Sequence, residues 1–452
     1  MKILLATYWL LPHVGGVWTY MRQLQAKLQL LGHEVDILAR HPDELGYYLL
    51  DTDQYLHQST LKPIVQQIIR PLYEQQLPHV DPWIIDQEVE KCCYALAAQY
   101  FGLSSYDLVH AQDVISARAL WQIKPAALPM AATIHGSLAA DYLVFLNVTQ
   151  PPDTVIWRYA CAREHFGVMS SHKSIVPSNW LKTIQVNQYQ VQSEHVAVIP
   201  YGMDIDPFIL QTQGNTEIVK PADVSLIICP ARLDKVKGHT VLLEALAKLI
   251  RVKTDWVCWL VGDGYLRDEL EQKTQQLGLE NNVRFLGNRR DVPALLTQAD
   301  IFVLPSTNDN QPFSIMEAQI AAKPVIVSDA GGIPEMVDHE STGLVFPSGS
   351  SEMLYLQLYR VLADAPLRSM LAANAQQWGR EHWSLNTMVA RTEEVYHLVR
   401  NAVNNPQNIC ASIVNYQAGV EQASRSMQQS FAFHIPSGYS GVDTDLINWL
   451  KL

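Results

Sequence analysis

From Val224 onward, short apolar runs alternate with amphipathic segments of roughly 10–15 residues, and few architectures accept that rhythm. The apolar runs are "VSLIICPARL", "DWVCWLVGDG", "NVRFLG", "DIFVLPS", "KPVIVSD" and "GLVFPSG". Between them lie "HTVLLEALAKLI", "YLRDELEQKTQQLGL" and "DVPALLTQA", which read as helices. Near-continuous apolar strands of this kind suit a parallel sheet with both faces covered by helices. The expected class is α/β, doubly wound and Rossmann-like. The first half repeats the pattern more loosely, in "KILLATYWL", "HEVDILAR", "YDLVHAQD", "PMAATIHG" and "SIVPSNW".

At 452 residues the chain exceeds one ordinary core, so two domains are expected. We place the first over 1–205, with a Gln-rich, helix-leaning insertion at about 42–103. The second runs over 206–385, after a linker-like stretch "GNTEIVKPADV" and a hinge between Pro200 and Pro221. A helix over 386–402 is expected to cross back to the first domain, and 403–452 reads as a partly ordered tail. Facing sheets of this class bind ligands beyond the carboxyl ends of their strands, so a cleft between the domains is the expected site.

Composition removes several function classes. A net charge of -12 argues against a nucleic-acid binder. Six scattered cysteines without a C-x-x-C argue against zinc and suit a reducing, cytoplasmic compartment. The opening "MKILLATYWLLPHVGG" lacks a small-x-small cleavage site and reads as a buried strand. No apolar stretch reaches the roughly 18–20 residues of a membrane span. Peripheral membrane contact and oligomeric state stay open.

Four motifs fall at expected strand ends. Gly15 and Gly16 precede a helix, where backbone N–H groups can approach an anion. In "ARLDKVKG", Arg232 and Lys237 offer a fork and a point charge suited to a diphosphate, or form an ordinary solvated basic loop. In "VGDG", Gly262 permits close backbone approach, and Asp263 is expected to cap the next helix. In "NDNQPFSIMEA", Pro312 suits the first turn of a helix. The N–H groups of Ser314, Ile315 and Met316 then face a ligand. Glu317, a turn further on, either bridges two vicinal sugar hydroxyls or complements the helix dipole.

Taken in order, "ARLDKVKG", "VGDGYLRDEL", "VRFLGNRRDVPALLTQADIFVLPS", "DNQPFSIMEA" and "GGIPEMV" resemble the retaining glycosyltransferases of family 4. Similarity extends to "GGVWTYM", "YDLVHAQD", "ATIHG" and "VIPYGMDIDPF", about residues 1 to 400. The resemblance implies the GT-B architecture and transfer of a sugar from a nucleotide diphosphate sugar to an acceptor hydroxyl, with retention. It implies Arg232 and Lys237 on the diphosphate, Glu317 on the ribose, Gly16 against the phosphates and acceptor, and His135 near the donor sugar. It implies no metal and no cofactor beyond the donor substrate.

The family most often has Glu where this chain has Asp309, facing the transferred sugar; one methylene fewer shortens the reach by roughly 1.5 Å. The rival reading is a non-catalytic relative that binds a glycan or nucleotide sugar. His110 and Asp113 are equally open to acceptor contact and to structural hydrogen bonding.

Overall fold

The structure is a computed structural model and describes residues 1–13, 15–145, 154–404 and 418–451. The chain divides into two units. The first comprises Met1–Pro177, Leu181–Ile199 and Val389–Leu452; the second comprises Ser178–Trp180 and Pro200–Met388.

Among the described residues the first unit holds an eight-stranded sheet. Its strands are β1 (Lys2–Leu10), β2 (Glu34–Arg40), β3 (Gly46–Leu49), β4 (Tyr55–His57), β5 (Leu108–Ala111), β6 (Met130–Thr133), β7 (Lys173–Val176) and β8 (Val196–Val198). The order is β4-β3-β2-β1-β5-β6-β7-β8. Only the β2–β3 and β3–β4 pairings are antiparallel. The 42–103 stretch therefore opens with a hairpin that extends the sheet, before helices Lys62–Gln76 and Pro82–Tyr100. The sequence hides these strands because they are only four and three residues long.

The second unit holds six parallel strands: β9 (Ser225–Pro230), β10 (Trp256–Val261), β11 (Val283–Gly287), β12 (Ile301–Leu304), β13 (Val325–Ser328) and β14 (Gly343–Phe346). Their order is β11-β10-β9-β12-β13-β14. Every residue of β10, β12 and β13 is buried, as sheet faces covered on both sides require. The stretch read as linker, 214–224, is pinned into this unit. Lys220 Nζ meets Asp300 Oδ2 at 2.5 Å, and its N–H donates to Gln298 Oε1.

Each sheet reverses its strand order once, between β1 and β5 in the first and between β9 and β12 in the second. Loops diverge at such a switch point and leave a crevice beyond the carboxyl ends of the two strands.

The tail departs most from the sequence reading. Helix Ala418–Ser430 packs on helix Lys62–Gln76, and helix Thr444–Lys451 packs on helix Val155–Met169. Between these two tail helices, buried Asp443 takes Lys91 Nζ at 2.8 Å and Arg118 Nη2 at 2.6 Å. Lys91 also meets Glu88 at 2.5 Å, and Tyr73 and Tyr159 donate to Glu88. Beside Arg118 and Lys91, the Asp443 carboxyl is held far below the usual carboxylate range. Residues 418–451 are thus an integral layer of the first unit.

Candidate functional site

In the second unit the switch point falls where β9 and β12 end. After β9 the chain turns through Arg232–Gly238; after β12 it turns through Pro305–Pro312. The two loops are stitched together. Thr307 N–H donates to Val236 O at 2.7 Å. Lys237 Nζ meets Asp309 Oδ2 at 2.5 Å, with both side chains largely buried. Ser306 Oγ donates to the same carboxylate oxygen at 3.1 Å, and the Asn310 N–H reaches the other at 3.2 Å. Asp309 and Lys237, 72 positions apart in sequence, thus form one ion pair between the two loops.

The backbone behind Asp309 is equally fixed. Gly332 N–H donates to Asp309 O at 3.0 Å. Gly331 has φ +61, and a Cβ there would fall 1.8 Å from Asp309 O, so only glycine fits. Arg232 differs from Lys237. Its side chain is 55% exposed and pairs through Nη2 with Asp234 at 3.1 Å, so much of the guanidinium faces solvent. Gly262 lies against the backbone that leads into Arg232: a Cβ there would sit 2.2 Å from Ala231 O, so the β10 end approaches the β9 end at backbone distance.

Helix Phe313–Ile320 begins one residue later than the sequence suggests. Pro312, with ψ 126, stands before the helix rather than in its first turn, and its carbonyl accepts from Ile315 N–H at 3.1 Å. Ser314, Ile315 and Met316 form the first turn, with Ile315 and Met316 buried. Tyr201 stacks on Phe313 at 5.3 Å between ring centres, and its N–H donates to Gln311 Oε1 at 2.6 Å. Trp383 Nε1 donates to Gln319 Oε1. Tyr201, Gln311, Ser306 and Gly331 were missed as positioning residues. "PYGMD" and the Gly pair after β13 were their only signals.

Glu317 sits in the second turn of this helix. No hydrogen bond or ion pair to its carboxylate exists among the described residues. Burial alone pushes its carboxyl up to about 7. An acid so placed is an acceptor without a donor.

Asp263 does not cap the next helix. The following helix starts at Arg267 with Leu266 as its cap, so Asp263 is too far back to cap it. Instead it accepts from Gly264 N–H at 2.8 Å and lies 3.4 Å from Arg267 Nη1.

In the first unit the switch point gathers different chemistry. Gly16 opens helix Gly16–Leu30 and is exposed, with no side-chain cap ahead of it. One turn on, Tyr20 packs edge-on against His135 at 4.9 Å. With the amide oriented as it stands, His135 Nε2 donates to Gln112 Oε1 at 3.2 Å. Burial pushes His135 down to about 3, so the ring is neutral.

His110 is fully buried, and both its nitrogens are engaged, with Tyr396 Oη at 2.8 Å and Thr133 Oγ1 at 2.7 Å. Asp113 accepts four hydrogen bonds, from Thr7 Oγ1 and the N–H groups of Tyr8, Ile115 and Ser116. Both are structural. No group of three His, Cys, Asp or Glu residues placed to hold a metal ion occurs among the described residues.

Two family profiles match the chain. The one described as Glycosyltransferase Family 4 matches residues 14–207, and Glycosyl transferases group 1 matches residues 214–378. An uncharacterized glycosyltransferase of Methanocaldococcus jannaschii, MJ1607, is 27% identical over 88% of this chain and 98% of its own length. A D-inositol 3-phosphate glycosyltransferase of Corynebacterium aurimucosum is 25% identical over 84% and 90%. Among solved structures, Anabaena Alr3699/HepE in complex with UDP aligns with a TM-score of 0.60. It is 21% identical over 88% of this chain and all of that one, a likeness of fold. The same protein has also been solved with UDP-glucose.

Proposed function

This chain belongs to glycosyltransferase family 4, with two Rossmann-like domains of the GT-B type, and from that premise we propose which reaction it performs. It transfers a hexose-like sugar from a nucleotide diphosphate sugar to an acceptor hydroxyl, with retention and without a divalent ion. The observation that carries this reading is the second unit's switch point: a solvent-facing guanidinium, a lysine fixed by Asp309, and an unpartnered carboxylate on the adjoining helix.

The parts suit the leaving group. Arg232 and Lys237 bind the diphosphate and take up the charge that grows on its leaving oxygen. Because Asp309 already fixes Lys237, little reorganisation accompanies that charge. Glu317 accepts hydrogen bonds from the two ribose hydroxyls, which supply the donors it lacks. The first turn, Ser314 to Met316, adds its N–H dipoles on the phosphate side.

In the transfer, the bond from the anomeric carbon to the phosphate oxygen breaks. The bond to the acceptor oxygen forms on the same face, and the acceptor proton passes to the departing phosphate. His135, being neutral, offers a hydrogen-bonding ring to sugar hydroxyls, and Gly16 an unobstructed backbone. The cytoplasmic location is part of the proposal; the five described cysteines are free, as a reducing compartment favours.

The test uses UDP-glucose first, since a related fold has been solved with it, and then other nucleotide sugars. Release of nucleotide diphosphate should fall by roughly 100-fold or more in both Arg232→Ala and Lys237→Ala, at unchanged melting temperature. Near-normal turnover in both variants would sink the assignment. An anomeric configuration inverted in the product, read by NMR, would overturn retention.

A further inference from the structure

The first unit carries a second concavity, a cavity of about 550 Å³ between the end of helix Pro82–Tyr100 and the tail segment 428–437. Ser104 lies just ahead of β5 and Pro125 just ahead of β6, and both line it. The cavity therefore opens at the amino ends of the strands. Gln112 and His135 follow the carboxyl ends of those same strands. The two places are separated by at least the length of a four-residue strand, about 13 Å.

Among the described residues no Lys, Arg, Asp or Glu contributes to the lining, and His434 is its one ionisable side chain. Gln99, Ser104, Gln428 and Ser437 bring amides and hydroxyls, while Phe433 and Pro436 bring flat apolar walls. The Phe433 ring is braced edge-on by Tyr100 at 5.6 Å and lies 5.4 Å from Phe431. Gln99, only 7% exposed, brings a mostly buried amide to one side of the cavity.

We propose that this cavity binds a short, uncharged oligosaccharide at a site separate from the transfer centre. An aromatic wall packs on the C–H face of a sugar ring, and neighbouring amides and hydroxyls pair with its hydroxyl groups. A phosphate or nucleotide would find no lysine or arginine, only the single exposed imidazole of His434. A lipid acyl chain would lie against five polar side chains, His434 among them. The volume lies in the usual range of small-molecule sites. The inference goes beyond the transferase reading and stands apart from it.

The experiment titrates the full chain with maltotriose, cellotriose and mannotriose, by saturation-transfer NMR and calorimetry, with 1-octanol as the apolar control. At least one trisaccharide should bind. Phe433→Ala should weaken it by roughly tenfold, the scale of one aromatic contact. Gln428 is exposed, so Gln428→Ala tests the same contact without risk to the fold and should also weaken binding. Failure of all three sugars to bind would overturn the proposal. So would binding that survives both substitutions, or octanol binding that Phe433→Ala abolishes while no sugar binds. A chain that binds a trisaccharide here but never turns over a nucleotide sugar keeps this inference and loses the transferase one.

Discussion

Glu317→Gln should make the ligand-free protein more stable and a poorer binder of nucleotide. In the folded chain burial raises the Glu317 carboxyl from 4.5 to about 7, with no cation or donor to offset it. The sign follows from linkage: the unfolded chain releases this proton at lower pH than the folded chain does. Stability therefore drains away as pH rises from 4.5 through 7, and the full cost is present at pH 8. At about 1.36 kcal/mol per pH unit, the ceiling is roughly 3 kcal/mol. The side chain still meets some solvent, so about 2 kcal/mol is the working figure.

For a unit of this size, 2–4 °C per kcal/mol gives a rise of about 5 °C in melting temperature at pH 8. Near pH 4.5 the acid is protonated and the amide offers no such advantage, so the two melting curves should converge. Calorimetric affinity for UDP should fall by roughly 10-fold or more, because an amide replaces a charged acceptor of two hydroxyls. A variant no more stable than wild type at pH 8, or one equally stabilised at both pH values, would refute the reasoning about burial. Unchanged UDP affinity would refute the ribose role.

Asp443→Asn should destabilise the first unit by roughly 3–5 kcal/mol in denaturant titration, since Lys91 and Arg118 are left facing a neutral amide. Because the Asp443 carboxyl is depressed, its contribution holds above about 3.8 and disappears as pH falls further. His110 and His135, pushed by burial from 6.5 down to about 3, act over a higher window. The unfolded chain takes up their protons first, so stability should decline as pH drops below 6.5; a first unit equally stable at pH 7 and pH 4.5 would contradict this. Turnover in excess chelator should equal turnover with magnesium, and an order-of-magnitude loss would demand a metal.

The sequence made some of this legible and hid the rest for identifiable reasons. β9, β10, β12 and β13 were readable because sheets covered on both faces need unbroken apolar runs. Arg232, Lys237, Asp309 and Glu317 stood out as candidates, but the pairing of Lys237 with Asp309 did not. That contact exists because β12 adds to β9 on the side away from β10, and strand order is not written in local periodicity. The tail was illegible for a different reason. What holds it is a buried charge cluster whose other members, Glu88, Lys91 and Arg118, lie more than 300 positions earlier. Isolated charges in sequence look like solvated ones. The hairpin of β3 and β4 was masked by its shortness: strands of four and three residues are too brief to show a period.

Asp309 is where the chain departs from the family's usual Glu, and the structure makes the consequence specific. Its carboxylate reaches Lys237 at 2.5 Å, so the shorter side chain is long enough for this contact. Its carbonyl is locked against Gly331, so the loop cannot retreat to make room. A Glu at this position would carry its carboxylate roughly 1.5 Å further from a fixed backbone. It would either lose the Lys237 contact or press toward the transferred sugar. Asp309→Glu should therefore shift the ratio of kcat/KM between two donor sugars, with UDP affinity little changed. Asp309→Asn should instead lower kcat for every donor, because Lys237 loses the charge that orients it. If Asp309→Glu left the donor ratio unaltered and Asp309→Asn left kcat intact, Asp309 would be a loop brace alone, and donor choice would lie elsewhere.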